Sequence, residues 1–545
     1  MEYITAEDLF QRIREALDSH APGIANHILH ETLVLCCHEG LRNTRHAFGD
    51  LSSQVDFLCN ECHIAPRDTQ AVQRMRRHSN TQEPISPDDL AYDCRALALL
   101  VSAVFHVSIP STLVGRLPTE GKKLPNASAK DSFAYIRCVV RSFDSETIQA
   151  SVVNLEYEDG LLTIDYRNTP EYIDFSYLAR ILHKGMTLNL LDCQKENGKV
   201  IPGLIIVEPD YLLDISSIAA CFEDYGHHPL LFTLNRLRER ANSKHILLGN
   251  FAGSALDDII NHPLYRLSYT LQSNFREKAM EYACCPDFDP AEFKQLAASQ
   301  ASNIQGIVAD LFSKYDKGKA ILEPSFVCEK LGIQGRVDLM TTDLKLLVEQ
   351  KSGQNFFIKR HVRNRYGSLH IEKHYVQVLL YFGVLSYNFD LSSKHSDIYL
   401  LYSKYPLPEG LLQVEPLRKL LREALKYRNQ AVALEFWMAE HGFERIIPHF
   451  NAATLQTEHN NSSFFERYQR PQIEAITLPL QSMKPLEKAY FCRMMRFVMR
   501  EQIVAKVGTQ EGVGSAGADL WNMPLSLKRE TGNIFTELRL IEKTS

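Results

Sequence analysis

The chain of 545 residues has no excess of positive charge: 60 Lys and Arg stand against 66 Asp and Glu, a formal net charge of -6. A protein that is basic all over is therefore excluded, and any contact with nucleic acid must rest on a local patch. Long apolar runs are also missing. The longest, Ala96 to Val107, is broken by Ser102 and His106 and is too short to span a bilayer, so no membrane is expected as a partner. In place of the basic start of a secretory signal the chain has Glu2, Glu7 and Asp8, which makes the cytoplasm the expected location. The 12 cysteines are scattered, with adjacent pairs at Cys36/Cys37 and Cys284/Cys285, and do not make a secreted disulfide framework. Cys59-Asn-Glu-Cys62 has the spacing of half a zinc site, with Cys36, His38 and His63 as conceivable partners, but a second half is missing and reduced thiols are the competing reading. There is no internal repeat, no low-complexity tract and no phosphate loop of the form G-x-x-x-x-G-K-[ST].

What is present is an ordinary globular composition, 45% hydrophobic and 23% charged. At one domain per roughly 150 residues, the length suggests three or four domains. Thr5-Ala-Glu-Asp8 resembles a capping box, and Leu9, Phe10, Ile13 and Leu17 follow at helical spacing. Further helical patterns at Ile28 to Leu35 and Asp89 to Phe105 predict a helical domain over residues 1–125. Its basic spot, Arg74, Arg76 and Arg77, reads either as a phosphate contact or as a solvated helix face.

Between residues 130 and 208 the period changes. Phe133 to Val140, Ile148 to Tyr157, Leu161 to Tyr166, Met186 to Leu191 and Val200 to Val207 read as strands, with turn signals at Glu158-Asp159-Gly160 and Glu196-Asn197-Gly198. Five short strands predict a small barrel, OB-like, serving either as a spacer or as a grip on a single strand. Residues 212–405 then alternate helix and strand, which predicts one mixed-sheet α/β domain. Asp214 reads as an N-cap for Ile215 to Cys221, and helices are expected at His245 to Ile260 and Gln295 to Tyr315. Strands are expected at Ile321 to Cys328, Gln334 to Met340, Lys345 to Lys351 and Asp397 to Tyr402. Residues 406–545 form the last region, with helices at Leu411 to Glu444 and Leu486 to Val507, a loop at Gly508 to Gly517 and a strand-like start at Ile534 to Ile541.

The chemistry concentrates between Gly332 and Tyr381. Asp338 closes one predicted strand, and Glu349 and Lys351 leave the same face of the next one because side chains alternate along a strand. Leu346-Leu347-Val348 marks that strand as interior, where unpaired charge is costly, so two carboxylates and an ammonium close together suit a divalent cation and a phosphoryl transition state. Oxygen ligands favour Mg²⁺ or Mn²⁺ over zinc. The apolar helix around Gln377 carries a glutamine that needs partners, with His374 and Tyr381 on the same stripe; either an active-site group or ordinary core contacts would serve. Lys359, Arg360, Arg363 and Arg365 crowd positive charge beside aromatics, which reads as a nucleic-acid contact or as a solvated loop that offsets nearby acids.

Three segments, Gly332-Ile-Gln-Gly-Arg-Val-Asp338, Glu349-Gln-Lys351 and Gln377-Val-Leu-Leu-Tyr381, together resemble the PD-(D/E)XK nuclease superfamily in its RecB-like branch. Within that branch the chain is most similar to the nuclease half of the DNA replication helicase/nuclease family, with support from PDYLLDISSIAAC at 209–221 and ILLGNFAGSALDDII at 246–260. The resemblance covers about Phe133 to Tyr402. It implies a PD-(D/E)XK core and Mg²⁺-dependent phosphodiester hydrolysis on DNA, with Asp338 and Glu349 as metal ligands, the Gln350 carbonyl as a candidate third, Lys351 helping the attacking water, and Gln377 and Tyr381 as the helix motif of the branch. Three departures accompany it. Gly253 stands where the family has a metal-binding histidine, leaving Glu323 or a water to take over. No iron-sulfur cluster is expected, because Cys221 stands near the first cluster position but no cysteine lies between Cys328 and Cys492. Without a phosphate loop, the helicase motor is expected in a missing C-terminal part or in a separate ATPase partner.

Overall fold

The computed structural model describes the chain apart from residues 1–3, 20, 43–50, 80–84, 123–130, 156–159, 168, 170–172, 240–241, 392–395, 460–461, 509–515, 524–527, 530–531, 533, 537 and 540–545. The protein is mixed α/β and forms two compact units. One is Met1–Leu212 with Val432–Phe443 and Ala489–Ser545; the other is Leu213–Ala431 with Glu444–Lys488. The C-terminal region expected over 406–545 is thus divided between both units.

In the first unit the capping box forms as the sequence predicts. The Asp8 amide donates to Thr5 Oγ1 at 3.3 Å and the Thr5 amide to the Asp8 carboxylate at 2.9 Å, which satisfies two helix-end donors at once. Leu9, Phe10 and Ile13 then bury against Leu29 and Leu33 of the Pro22–Leu41 helix and Leu97, Leu100 and Val101 of the Pro87–Phe105 helix. The basic spot fits neither of its two readings well. Arg74 is buried, Arg77 donates to the Val153 carbonyl and Arg76 donates to Gln73 at 2.9 Å, so these cations hold the fold. Cys36 and Cys59 are fully buried thiols whose pKa burial pushes far up, a poor start for a thiolate ligand.

A five-stranded closed barrel follows. Ser132–Phe143 pairs with both Thr147–Val152 and Thr187–Glu196; Leu161–Asp165 and Lys199–Ile201 complete the ring. Asn197 and Gly198 both take positive φ, 50° and 76°, the two-residue turn whose twist suits a hairpin. The expected strand Val200 to Val207 breaks at Pro202-Gly203, and its second half, Leu204–Val207, adds to the outside of Thr187–Glu196. The other turn signal, at Glu158 and Asp159, lies outside the described residues.

In the second unit a five-stranded sheet runs in the order Ala320–Leu322, Leu339–Thr341, Leu346–Lys351, Asp397–Tyr402, Leu411–Val414. Its central pair, Leu346–Lys351 and Asp397–Tyr402, is parallel, with the helix Glu372–Phe389 in the crossover between them. Leu346 and Val348 point to one face and pack on the helices Lys244–Asn261 and Pro290–Lys314, through Leu247, Phe251, Ile304 and Leu311. Strand alternation therefore sends Glu349 and Lys351 to the opposite face.

Several sequence expectations are corrected here. Leu411 begins a strand and not a helix; it pairs antiparallel with Leu401, and the helix starts only at Arg418. Asp214 stands at an N-cap position, but its carboxylate makes no cap bond and accepts from Gln334 Nε2 at 2.9 Å instead. The expected strands Ile321 to Cys328 and Gln334 to Met340 both break midway. Ser325–Cys328 and Ile333–Arg336 leave the main sheet to form a separate three-stranded one with Leu213–Asp214. Of the expected segment Ile534 to Ile541, the described residues form no strand, and most of the loop after Gly508 lies outside the described residues.

One tight contact fixes the entrance to this region. Gly332 has φ +62°, and a Cβ there would run into the guanidinium of Arg428, which is fully buried and donates from Nε to the Gly332 carbonyl at 3.1 Å. Both the left-handed backbone and the filled space forbid a side chain. Gly332→Ala is expected to cost about 2–4 kcal/mol in urea-unfolding measurements; a change under about 0.5 kcal/mol would contradict this reading.

Candidate active site

The break in the two strands creates the site. Asp338 sits at the point where the chain passes from one sheet to the other and turns its carboxylate onto the next strand. There Oδ2 accepts the Gln350 amide at 2.6 Å. Glu323, at the matching break, has φ +49° and donates its amide to the Asp338 carbonyl at 3.0 Å. Its carboxylate pairs with Arg336 at 3.0 Å.

Glu349 is 4% exposed. Its Oε1 accepts from Lys351 Nζ at 2.8 Å and from Gln377 Nε2 at 2.6 Å, while Gln377 Oε1 accepts from the same Lys351 Nζ at 2.8 Å. The glutamine thus reads both charges at once: its two amide ends bind carboxylate and ammonium in a closed triangle. Glu349 Oε2, in contrast, is buried with no hydrogen-bond partner. Burying a carboxylate oxygen without a protein partner is costly. Burial, together with the nearby Asp338, pushes the Glu349 pKa up to about 7 despite Lys351. Burial raises the Asp338 pKa as well. Tyr381 does not reach the carboxylates by a hydrogen bond. Its hydroxyl donates to the Arg336 carbonyl and its ring packs where Gly335 leaves room, so it ties the helix to the strand that delivers Asp338.

Gln350 turns to the other face of its strand, and its Nε2 donates to the Ala252 carbonyl at 3.0 Å. That contact sets the strand against the Lys244–Asn261 helix at Gly253, where nothing lies within 4 Å of a would-be Cβ. The open space is part of a cavity of about 260 Å³ floored by Gly249 and Gly253, with Asp338, Lys351, Ser352 and His374 on its walls. One turn beyond Gly253 lies Asp257, which the sequence reading passed over. Its pKa is raised to about 7 by burial and by the charges of Glu323 and Asp338. The signal was the pair Asp257-Asp258 four residues after Gly253, on the same helix stripe.

The fit to a divalent cation can be tested on these donors. Among the described residues no three His, Cys, Asp or Glu side chains converge closely enough to hold a metal. Two carboxylates with a main-chain carbonyl and waters are the kind of set that Mg²⁺ accepts and structural zinc does not. Of this set, Glu349 Oε2 is buried without a protein hydrogen-bond partner.

The basic segment starts five residues after Lys351. Asn355 caps the short helix Phe356–Arg360, accepting from the Phe357 and Ile358 amides. Lys359, Arg360 and Arg363 are exposed, with the Arg360 guanidinium 4.7 Å from the centre of the exposed Phe356 ring. Arg365 is differently engaged. It pairs with Glu372 and, at 3.1 Å, with Glu458, beside His227. Burial works against charge on His227, but bonds to Glu372 and Glu423 outweigh it and raise the pKa to about 9, so this knot is charged on both sides. Arg365 therefore fastens the loop, and Lys359, Arg360 and Arg363 carry its exposed positive face, Arg363 also donating to the Gly367 carbonyl at 2.9 Å.

No protein-family model matches the chain, and no curated protein matches it. Among the described residues no helix is long and apolar enough to cross a membrane.

Proposed function

We propose that the chain is a Mg²⁺- or Mn²⁺-dependent DNA nuclease of the PD-(D/E)XK kind. It acts on single-stranded ends or flaps in DNA repair, replication or defence, alongside a helicase or ATPase. The observation that carries this reading is the buried Oε2 of Glu349, without a protein hydrogen-bond partner, near Asp338 and next to a lysine held in place by Gln377. Its setting near a second carboxylate and an ammonium, more than the lack of a partner alone, points to a cation. A bound Mg²⁺ or Mn²⁺ supplies charge neutralisation at the scissile phosphate and an activated water. Asp338, Glu349 and the Gln350 carbonyl would hold it. Lys351 places its ammonium where the attacking water and the phosphate meet, Gln377 fixes that ammonium, and Lys359, Arg360 and Arg363 guide the strand.

Calorimetry with Mn²⁺ tests the reading: the wild-type protein should bind and Glu349→Gln should bind at least tenfold more weakly. Equal affinity would remove Glu349 from the site. The alternative reading is a nuclease-like module that binds DNA without cutting it. It is favoured by the absence of three converging metal ligands among the described residues and by Gly253. It predicts strand binding that survives Glu349→Gln and no cleavage with any metal.

In either case the basic segment has a definite signature. Replacing Lys359, Arg360 and Arg363 together with Ala should lower affinity for a single-stranded oligonucleotide about tenfold or more. The slope of log K against log salt should become shallower by about 2, since each lost phosphate contact removes roughly 0.7. An unchanged slope would show that these cations are only a solvated face.

A further inference from the structure

We propose that His374 binds the phosphate under attack, its Nε2–H donating to a non-bridging oxygen beside the Lys351 ammonium. This rests on the nuclease reading above and adds a residue to it.

His374 comes from the first turn of the Glu372–Phe389 helix and lies on the wall of the same cavity as Asp338 and Lys351. Its Nδ1 is 3.1 Å from the Tyr402 hydroxyl. Which atom donates follows from the other bonds of that hydroxyl. Tyr402 Oη accepts the Ile371 amide at 3.1 Å, and among the described residues His374 Nδ1 is the one partner for its hydrogen. With the Ile371 amide on one acceptor position, the hydroxyl hydrogen goes to His374 Nδ1. This assignment leaves the proton of the neutral imidazole on Nε2.

Two further observations agree. Burial and the positive charges of Lys351 and Lys373 keep the ring neutral, so it does not become a second cation competing with Lys351. Nε2 has no hydrogen-bond partner among the described residues and is not among the atoms sealed in the core, so this N–H is available to the cavity. A neutral donor that shares a cavity with the Lys351 ammonium suits an oxyanion and not a metal ion. The donor is preorganised, because Tyr402 is itself fully buried in the parallel strand next to that of Glu349.

The test compares His374→Ala and His374→Gln with wild type in three measurements: cutting of a fluorescein-labelled single-stranded oligonucleotide with Mn²⁺, Mn²⁺ affinity by calorimetry, and thermal melting. His374→Ala should cut about a hundredfold more slowly, with Mn²⁺ affinity within twofold of wild type. His374→Gln, which keeps an N–H donor, should recover to within about tenfold of wild type. Tyr402→Phe, which releases the tautomer, should lose about tenfold in rate. Cutting by His374→Ala within twofold of wild type would overturn the proposal and leave the nuclease reading standing. Lost Mn²⁺ affinity in His374→Ala would also overturn it, because the imidazole would then be a ligand. A wild-type protein that cuts under no metal removes the nuclease reading and this proposal with it.

Discussion

Lys351→Met is expected to slow Mn²⁺-dependent cutting about a thousandfold and to move the pH at which Mn²⁺ binds upward from about 7. The first effect follows from position: the ammonium is held 2.8 Å from both Glu349 Oε1 and Gln377 Oε1, so it is fixed before substrate arrives and needs no reorganisation during reaction. The second follows from charge. Burial raises the Glu349 pKa to about 7, and Lys351 is the largest influence lowering it. Without the ammonium the carboxyl stays protonated to higher pH, and a protonated carboxyl is a poor ligand. In the wild type, Mn²⁺ affinity should rise between about pH 6 and pH 8; in Lys351→Met the rise should come later. Calorimetry across that range would contradict the account if both proteins showed the same midpoint.

Asp338→Asn is expected to abolish cutting and, without metal, to make the protein more stable. Asp338 is pushed toward its neutral form chiefly by burial, against the amide bond from Gln350, with Glu323 adding repulsion. A carboxyl whose pKa is raised in the folded state stabilises the fold at low pH, and that contribution is lost as pH rises through the folded value. The wild type therefore carries a destabilising charge at pH 8 that asparagine lacks, while the asparagine oxygen still accepts the Gln350 amide. The gain should be about 1 kcal/mol at pH 8 and should shrink toward pH 5. Adding Mn²⁺ should raise the melting temperature of the wild type and leave Asp338→Asn unchanged, since only a protein that binds the ion is stabilised by it. Thermal melting at two pH values, with and without Mn²⁺, checks both statements. A variant less stable than wild type at pH 8 would mean that the carboxylate serves the fold.

Much of this site was legible because it follows from short-range rules. The two-residue period of a strand put Glu349 and Lys351 on one face. The apolar surroundings of Gln377 required partners for it, and its partners are those two charges. The bend at Asp338 was hidden, because Gln334 to Met340 keeps a strand composition although the chain changes sheets in its middle. Tertiary pairing, not local propensity, decides there, as it does at Leu411, which pairs with Leu401 and so begins a strand. Long-range partners were equally invisible. Arg74 and Arg77 look like a surface patch until the fold buries one and bonds the other. Arg365 looks like its basic neighbours until Glu372 and Glu458 close on it. Asp257 needed both the helix geometry and the placement of Glu323, and His374 needed Tyr402, which comes from another element 28 residues on.

The central claim is that Asp338 and Glu349 form the anionic half of a hydrolytic site, and cleavage measures it directly. Purified wild type and Asp338→Ala should be incubated with a 5′-labelled single-stranded oligonucleotide at pH 8 in Mg²⁺, Mn²⁺ or EDTA. The account predicts shortened products with the wild type in either metal, none in EDTA, and none with Asp338→Ala under any condition. Equal cutting by Asp338→Ala, or undiminished cutting in EDTA, would contradict it.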